Sequence, residues 1–232
     1  MNKNLNAHYE KIVNLYLRLK GYITTNLIIH SDTQGSLNSE LDILAIRMPF
    51  HLQIDRQVDL IDYLESSTES IEIIIADVKN TTDINSLKFN KGLRTNNESI
   101  EKLIDWIGIS NVKNDLIDKF RYSLNLNKLS KNNGYEIFNE TTSIGNFTFK
   151  FTFFCPSLPI WNGKGFKYVH GDEMINFIWE CLNTKNIVDS CSRKYNFQNW
   201  NNYEEYIRFF KEAETKITID DFEQHFKLKK VK

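Results

Sequence analysis

The sequence contains little cysteine and little proline, and it has no excess of charge of either sign. Its 232 residues include three prolines and three cysteines, and 29 basic residues nearly balance 30 acidic ones. Cys155, Cys181 and Cys191 are odd in number and show no C-x-x-C spacing, which argues against a disulfide framework and a cysteine-built zinc site. The formal net charge of −1 means that any surface for nucleic acid must be local.

Long apolar segments are also missing. Apolar runs such as Ile73 to Ala76 are far too short to span a membrane, and the N-terminal residues around Lys3 lack the apolar core of a signal peptide. We therefore expect a cytoplasmic protein that is not inserted in a membrane. With 41% hydrophobic and 13% aromatic residues, the chain is long enough to bury one good core.

Hydrophobic periodicity predicts both helices and strands, as in an α/β protein. The residues Tyr9, Ile12, Val13, Tyr16 and Leu19 recur at helical spacing. The predicted helices cover about residues 5–20, 98–107, 112–124, 173–182 and 203–213, with another between Pro49 and Ser70 and a last one opened by a capping box at Thr218; the predicted strands cover 22–31, 40–47, 71–80, 136–138 and 147–154.

We interpret residues 1–155 as an α/β core and 156–232 as a helical C-terminal region packed on it. No long linker separates the two parts.

The strand predicted over residues 71–80 is where we expect the chemistry. It is almost wholly apolar until it reaches Asp77, Val78 and Lys79. Because side chains alternate along a strand, Asp77 and Lys79 leave the same face, in line with Ile73 and Ile75. Ionised groups are rarely placed in a buried row unless something pairs with them, and a divalent metal ion is one such partner.

Two further acids complete a candidate site for a hard cation. Asp42 lies near the start of the second predicted strand, and Glu10 lies on the first helix, at the boundary of its apolar stripe. One or two Mg²⁺ ions held by carboxylates stabilise charge on a phosphate, and a lysine beside them orients or deprotonates a water. This residue set is suited to cutting a phosphodiester bond.

At these residues the chain resembles the PD-(D/E)XK nuclease superfamily, which includes restriction endonucleases, Mrr-like enzymes and Holliday-junction resolvases. Glu10, the Glu40-Leu41-Asp42 triplet and the Asp77-Val78-Lys79 triplet follow the order of that family, although Leu41 replaces its proline and residues 49–70 lengthen the spacing. The resemblance implies a restriction-endonuclease-like core, with a mixed central sheet flanked by helices. It implies that this core binds Mg²⁺, or Mn²⁺ in its place, through Asp42, Asp77 and the Val78 carbonyl. It also implies that Lys79 acts on the attacking water and that the partner is DNA, cut in restriction or anti-phage defence by a homodimer or with a partner subunit.

Plainer readings stand beside these. Asp77 and Lys79 could form an ordinary strand end in solvent, Asp42 could pair with Lys79 as a structural salt bridge, and Glu10 could serve the dipole of a helix's first turn. The bases Lys88, Lys91 and Arg94 follow the candidate strand and either contact nucleic-acid phosphates or are merely solvated. The alternative function is an inactive module of the same fold that recognises DNA or a protein.

Two other motifs carry no chemistry in our interpretation. His170 opens a predicted helix, and it has no zinc spacing with Cys181 and Cys191. The Gly163-Lys164-Gly165 stretch lacks the remainder of a phosphate-binding loop.

Overall fold

The computed structural model describes residues 3–32, 37–51, 69–109, 113–125, 136–142, 145–160, 168–183, 200 and 202–229. Within these ranges a mixed β-sheet carries helices on both faces. The strands are β1 (Ile23–His30), β2 (Leu37–Arg47), β3 (Ile71–Val78), β4 (Glu136–Thr142), β5 (Gly145–Cys155) and β6 (Tyr168–His170). The helices are α1 (Lys3–Leu19), α2 (Lys91–Thr95), α3 (Asn97–Ile107), α4 (Lys113–Leu124), α5 (Gly171–Leu182), α6 (Glu204–Lys211) and α7 (Ile219–Phe226).

Five strands lie side by side in the order β1, β2, β3, β5, β4. The short β6 pairs with the C-terminal end of β5, past the residues of β5 that pair with β4. The pairs β1–β2 and β2–β3 are antiparallel, whereas β3 and β5 are parallel. A parallel pair needs a long crossover connection, and here α2, α3 and α4 lie within it. The C-terminal ends of β3 and β5 consequently meet at one edge of the sheet.

Strand β3 is buried on both faces. Ile74 and Ala76 belong to the apolar cluster that α1 shares with α5, α6 and α7, while Ile73 and Ile75 belong to the cluster beneath α3 and α4. Strands covered on both faces are near-continuously apolar, which is why the isoleucine run predicted a central strand. That prediction is confirmed.

Most predicted elements are present with small shifts of boundary. Helix α1 ends where expected, at Gly21 with φ +88°, and Thr218 forms the predicted capping box of α7. Three elements were not predicted, namely α2, β6 and a 3₁₀ turn at Ile84–Ser86. Each has five residues or fewer, too few to show periodicity.

The helices after β6 pack against α1. Phe177, Phe210 and Phe222 join the same buried cluster as Tyr16 of α1. The division of the chain at residue 155 remains a prediction. Strand β6, which lies in the later part of the chain, belongs to the same sheet as the strands before it. Of the described helices, none combines the length and apolar character needed to cross a membrane.

The helix predicted between Pro49 and Ser70 lies mostly outside the described residues. So do Gly163-Lys164-Gly165, Cys191 and most of the turn between β1 and β2.

Candidate active site

A β-bulge in β2 sets the direction of Asp42. Thr25 pairs with Leu44 and Leu27 pairs with Leu41, so one intervening residue of β1 faces two of β2, Asp42 and Ile43. The extra residue interrupts alternation, because Leu41 and Leu44 both join the cluster under α3 and α4. Asp42 instead lines a cleft beside α1.

Asp42 is bound to the end of the neighbouring strand. Its Oδ2 accepts a hydrogen bond from the Val78 amide at 2.8 Å, just beyond the last paired residues of the two strands, Ile43 and Ala76. Burial, and then the charge of Asp77, raise the pKa of Asp42 to about 6. In an extended strand the N–H and C=O of one residue leave on the same side, so the Val78 carbonyl is also directed towards β2.

Asp77 is almost fully buried, and its two oxygens have different surroundings. Oδ2 accepts a hydrogen bond from the backbone amide of Asn90 at 3.0 Å and lies 2.8 Å from Lys79 Nζ. Oδ1 is buried and has no hydrogen-bond partner in the described part of the chain. A buried carboxylate oxygen without a partner is costly, and it marks a place where a positive ligand would be stabilised.

Lys79 lies on the same side of β3 as Asp77, as the alternation of the strand predicted. The side chain of Asp77 is 2% exposed and that of Lys79 is 28% exposed. This strand end therefore does not emerge into open solvent. The structural salt bridge considered between Asp42 and Lys79 is wrong, because the carboxylate that holds Lys79 is that of Asp77.

Asp42, Asp77 and the Val78 carbonyl have the chemistry of a site for a hard divalent cation. All three supply oxygen ligands, one oxygen of Asp77 has no described partner, and both the burial of Asp42 and its neighbour Asp77 disfavour a bare negative charge there. Over the described residues, no group of three His, Cys, Asp or Glu side chains could hold a metal ion. Mg²⁺ is commonly held by only one or two carboxylates together with waters and substrate phosphate, so this donor set fits Mg²⁺ or Mn²⁺.

A polar cleft of about 400 Å³ extends from Asp42 between α1 and β1. Its lining is Ala7, Glu10, Lys11, Asn14, Thr24, Thr25, Asn26, Asp42 and Tyr203. Glu10 is exposed, and so lies further from the buried face of α1 than the boundary position that the sequence predicted. Partial burial beside the cleft, and then the charges of Asp42 and Glu40, nevertheless raise the pKa of Glu10. Helix α1 has no acid in its first turn, so the dipole explanation for Glu10 is wrong.

The predicted basic residues divide into two groups. Lys88 and Lys91 are exposed and flank Asn90, whose amide binds Asp77. Arg94 is half-buried, and its Nε donates to the Phe89 carbonyl at 2.7 Å. The two lysines are consequently better placed to meet a phosphate at the site than Arg94 is.

Hydrogen bonds hold the chain that follows Lys79. The side-chain amide of Asn80 donates through Nδ2 to Oδ1 of Asn6 in α1 at 2.8 Å. Its Oδ1 accepts a hydrogen bond from the hydroxyl of Ser157, after β5, at 2.9 Å. Ser157 is 3.0 Å from the Tyr9 hydroxyl, which also donates to Glu223 of α7. This network fixes the exit from β3 to three other elements, and it thereby limits the movement of Lys79.

The structure brings Asp42, Asp77 and Lys79 together as the sequence predicted, and it brings Glu10 to the adjoining cleft. Sequence reasoning missed Asn90 and the β1 side of the cleft. Asn90 caps α2 through a hydrogen bond to the Gly92 amide at 3.0 Å, and an asparagine two residues before a glycine is a weak signal of such a cap. The polar residues Thr24, Thr25 and Asn26 gave no signal in sequence.

Comparisons of this chain with protein-family models, with curated proteins and with solved structures found no match.

Proposed function

We propose that this protein is a metal-dependent nuclease that hydrolyses DNA phosphodiester bonds, in a setting such as restriction or anti-phage defence. The observation that carries the proposal is the convergence of Asp42 and Asp77, with Lys79 Nζ 2.8 Å from Asp77 Oδ2 and Asp77 Oδ1 buried without a described partner. Buried polar atoms normally have a hydrogen-bond partner, whereas this arrangement leaves Asp77 Oδ1 for a ligand.

The order of elements also supports the proposal. Along the chain come a helix, three antiparallel strands, a crossover of three helices, strand β4 and then β5, which lies parallel to β3 and antiparallel to β4. This order agrees with the restriction-endonuclease-like core that the sequence resemblance implies, and we propose that fold for the chain. Fold alone does not establish activity, so the argument rests on the site.

Each residue has a distinct role in the proposed reaction. Asp42, Asp77 and the Val78 carbonyl would hold the divalent cation, which supplies stabilisation of phosphate charge and activation of water when bound. The side-chain amino group of Lys79, which lies beside Asp77, orients the water that attacks phosphorus. The Asn90 amide and the Val78 amide fix the two carboxylates, and Lys88 and Lys91 bind flanking phosphates.

The test is a cleavage assay on supercoiled plasmid, linear duplex and branched DNA, with Mg²⁺ or Mn²⁺. We expect Asp77→Ala and Lys79→Ala each to lower the cleavage rate at least 100-fold, on the order expected for loss of a group that acts only in the transition state. Glu214→Ala, which removes an exposed acid from the segment between α6 and α7, is the matched control and should cut normally. Equal cutting by all variants would overturn the assignment.

A binding module without catalysis is the second candidate, and the near-neutral net charge favours it. It predicts DNA or protein binding without cleavage under any metal. It also predicts that Asp77→Ala leaves binding unchanged, because the carboxylate then has no cation to hold. DNA binding that Mg²⁺ strengthens in wild type but not in Asp77→Ala would contradict the module.

A further inference from the structure

The cleft between α1 and β1 opens directly beside Asp42, and the proposed function does not use most of it. Its volume of about 400 Å³ is at the small end of the range for pockets that bind small ligands, which is roughly 300–1,000 Å³. A double helix, with a major groove alone about 12 Å wide, is far too large to enter. The cleft has the size for a single nucleotide unit.

The charges of the cleft select what enters it. Its ionisable lining comprises the carboxyl groups of Glu10 and Asp42 and the ammonium group of Lys11, and the Lys11 Nζ lies 5.1 Å from the centre of the Tyr203 ring. With Asp42 assigned to the cation, Glu10 and Lys11 balance each other, so the rest of the cleft has no net positive charge to hold a phosphate. An uncharged base with its sugar needs none.

Hydrogen-bonding groups on β1 are available to such a ligand. In the described part of the chain, the side chains of Thr24 and Asn26 have no hydrogen-bond partner. The Thr25 hydroxyl donates to the Asn26 carbonyl at 2.9 Å and keeps its acceptor capacity. An asparagine amide offers both a donor and an acceptor, the combination that reads the edge of a base.

We infer that this cleft binds one unpaired nucleoside of the substrate strand next to the phosphate that is cut, so that the preferred substrate carries a single-stranded or extruded nucleotide at that position. This inference rests on the proposed function. A base inside a duplex has its pairing edge occupied, and it must leave the stack before a pocket can bind it.

Binding is tested by fluorescence anisotropy with a 12-nucleotide single-stranded DNA and the matching blunt duplex. The protein is the full chain carrying Lys79→Ala, in Mg²⁺, so that DNA binds without being cut. Adding Asn26→Ala or Thr24→Val should weaken single-strand binding about tenfold each, the effect of one lost hydrogen bond, and change duplex binding less than twofold. Asn114→Ala, which removes an exposed asparagine of α4, is the matched control and should change neither.

The outcomes separate this inference from the proposed function. Equal effects on both DNAs, or none on either, would overturn the nucleoside site, whether or not the wild type cuts DNA. Selective loss of single-strand binding in the Asn26 and Thr24 variants would support the site. If the wild type then cut nothing, hydrolysis alone would be refuted. Unchanged melting temperatures would show that the substitutions, on an edge strand, leave the fold intact.

Discussion

Asp42 on β2 accepts a hydrogen bond at 2.8 Å from the amide of Val78, the last residue of β3. This bond fixes one acid beside the next strand's acid, Asp77, at the point where the paired ladder of the two strands ends. The site is thus built by backbone geometry. Burial and a neighbouring negative charge together oppose ionisation of Asp42, and this opposition has measurable consequences.

Replacement of Asp42 by asparagine should stabilise the metal-free protein at pH 8. The pKa of Asp42 is about 6 in the folded chain and near 3.8 when unfolded, so its contribution to stability is fully present below pH 3.8 and is lost as pH rises through 6. Partial exposure reduces the effect to on the order of 1–2 kcal/mol. Asparagine keeps an acceptor for the Val78 amide without the charge.

The measurement is urea unfolding of wild type and Asp42→Asn at pH 4 and pH 8 in EDTA. The two should differ at pH 8 and converge at pH 4. If the variant were less stable than wild type at pH 8, ionisation of Asp42 would not be unfavourable in the folded protein.

Affinity for Mg²⁺ should fall on acidification. A carboxylate must be ionised to bind a cation, so protonation of Asp42 competes with Mg²⁺ below pH 6. We expect calorimetric affinity to drop roughly tenfold between pH 7 and pH 5, which follows from one proton competing with a pKa of about 6. In Asp118→Asn, which removes an exposed acid of α4, the pH dependence should be unchanged. Affinity that is constant between pH 5 and 7 would exclude Asp42 as a ligand.

Gly92→Ala should weaken the site without touching it. A methyl group at Gly92 would lie 2.1 Å from the backbone oxygen of Asn38 on β2, so α2 must move away. That movement displaces the Asn90 amide from Asp77, and strain of this kind costs about 1–3 kcal/mol. The free energy of unfolding, measured with denaturant, and the cleavage rate should both fall. Thr95→Ala, at the exposed end of α2, should change neither. Wild-type stability in Gly92→Ala would refute the close approach.

Glu72→Gln should destabilise the opposite end of the sheet. Glu72 is 1% exposed, and its two oxygens bind Arg47 at 2.5 Å and Lys150 at 3.1 Å, with the Tyr22 hydroxyl at 2.8 Å. Loss of its charge leaves buried cations uncompensated, at a cost of about 3–5 kcal/mol. Glu98→Gln, which breaks the exposed pair with Lys102, should destabilise the protein far less. Urea unfolding measures both, and equal effects would contradict the role assigned to burial.

The sequence by itself determined the central strand and the pair at its end. The apolar run Ile73 to Ala76, preceded by Ile71, predicted a covered strand, and the two-residue period then puts Asp77 and Lys79 on one face, as the 2.8 Å ion pair confirms. Helix α1 and its glycine end followed from 3.6-residue spacing. These are local rules, which depend only on neighbours along the chain.

The partners of those residues were decided only by tertiary structure. The bulge that turns Asp42 towards α1 arises from the register between β1 and β2, and no local pattern at Asp42 encodes a register. The Asn90 amide reaches Asp77 only because α2 packs closely on β2 at Gly92. The cleft joins α1, β1 and Tyr203 from distant parts of the chain, so its existence depends on long-range packing that periodicity does not report.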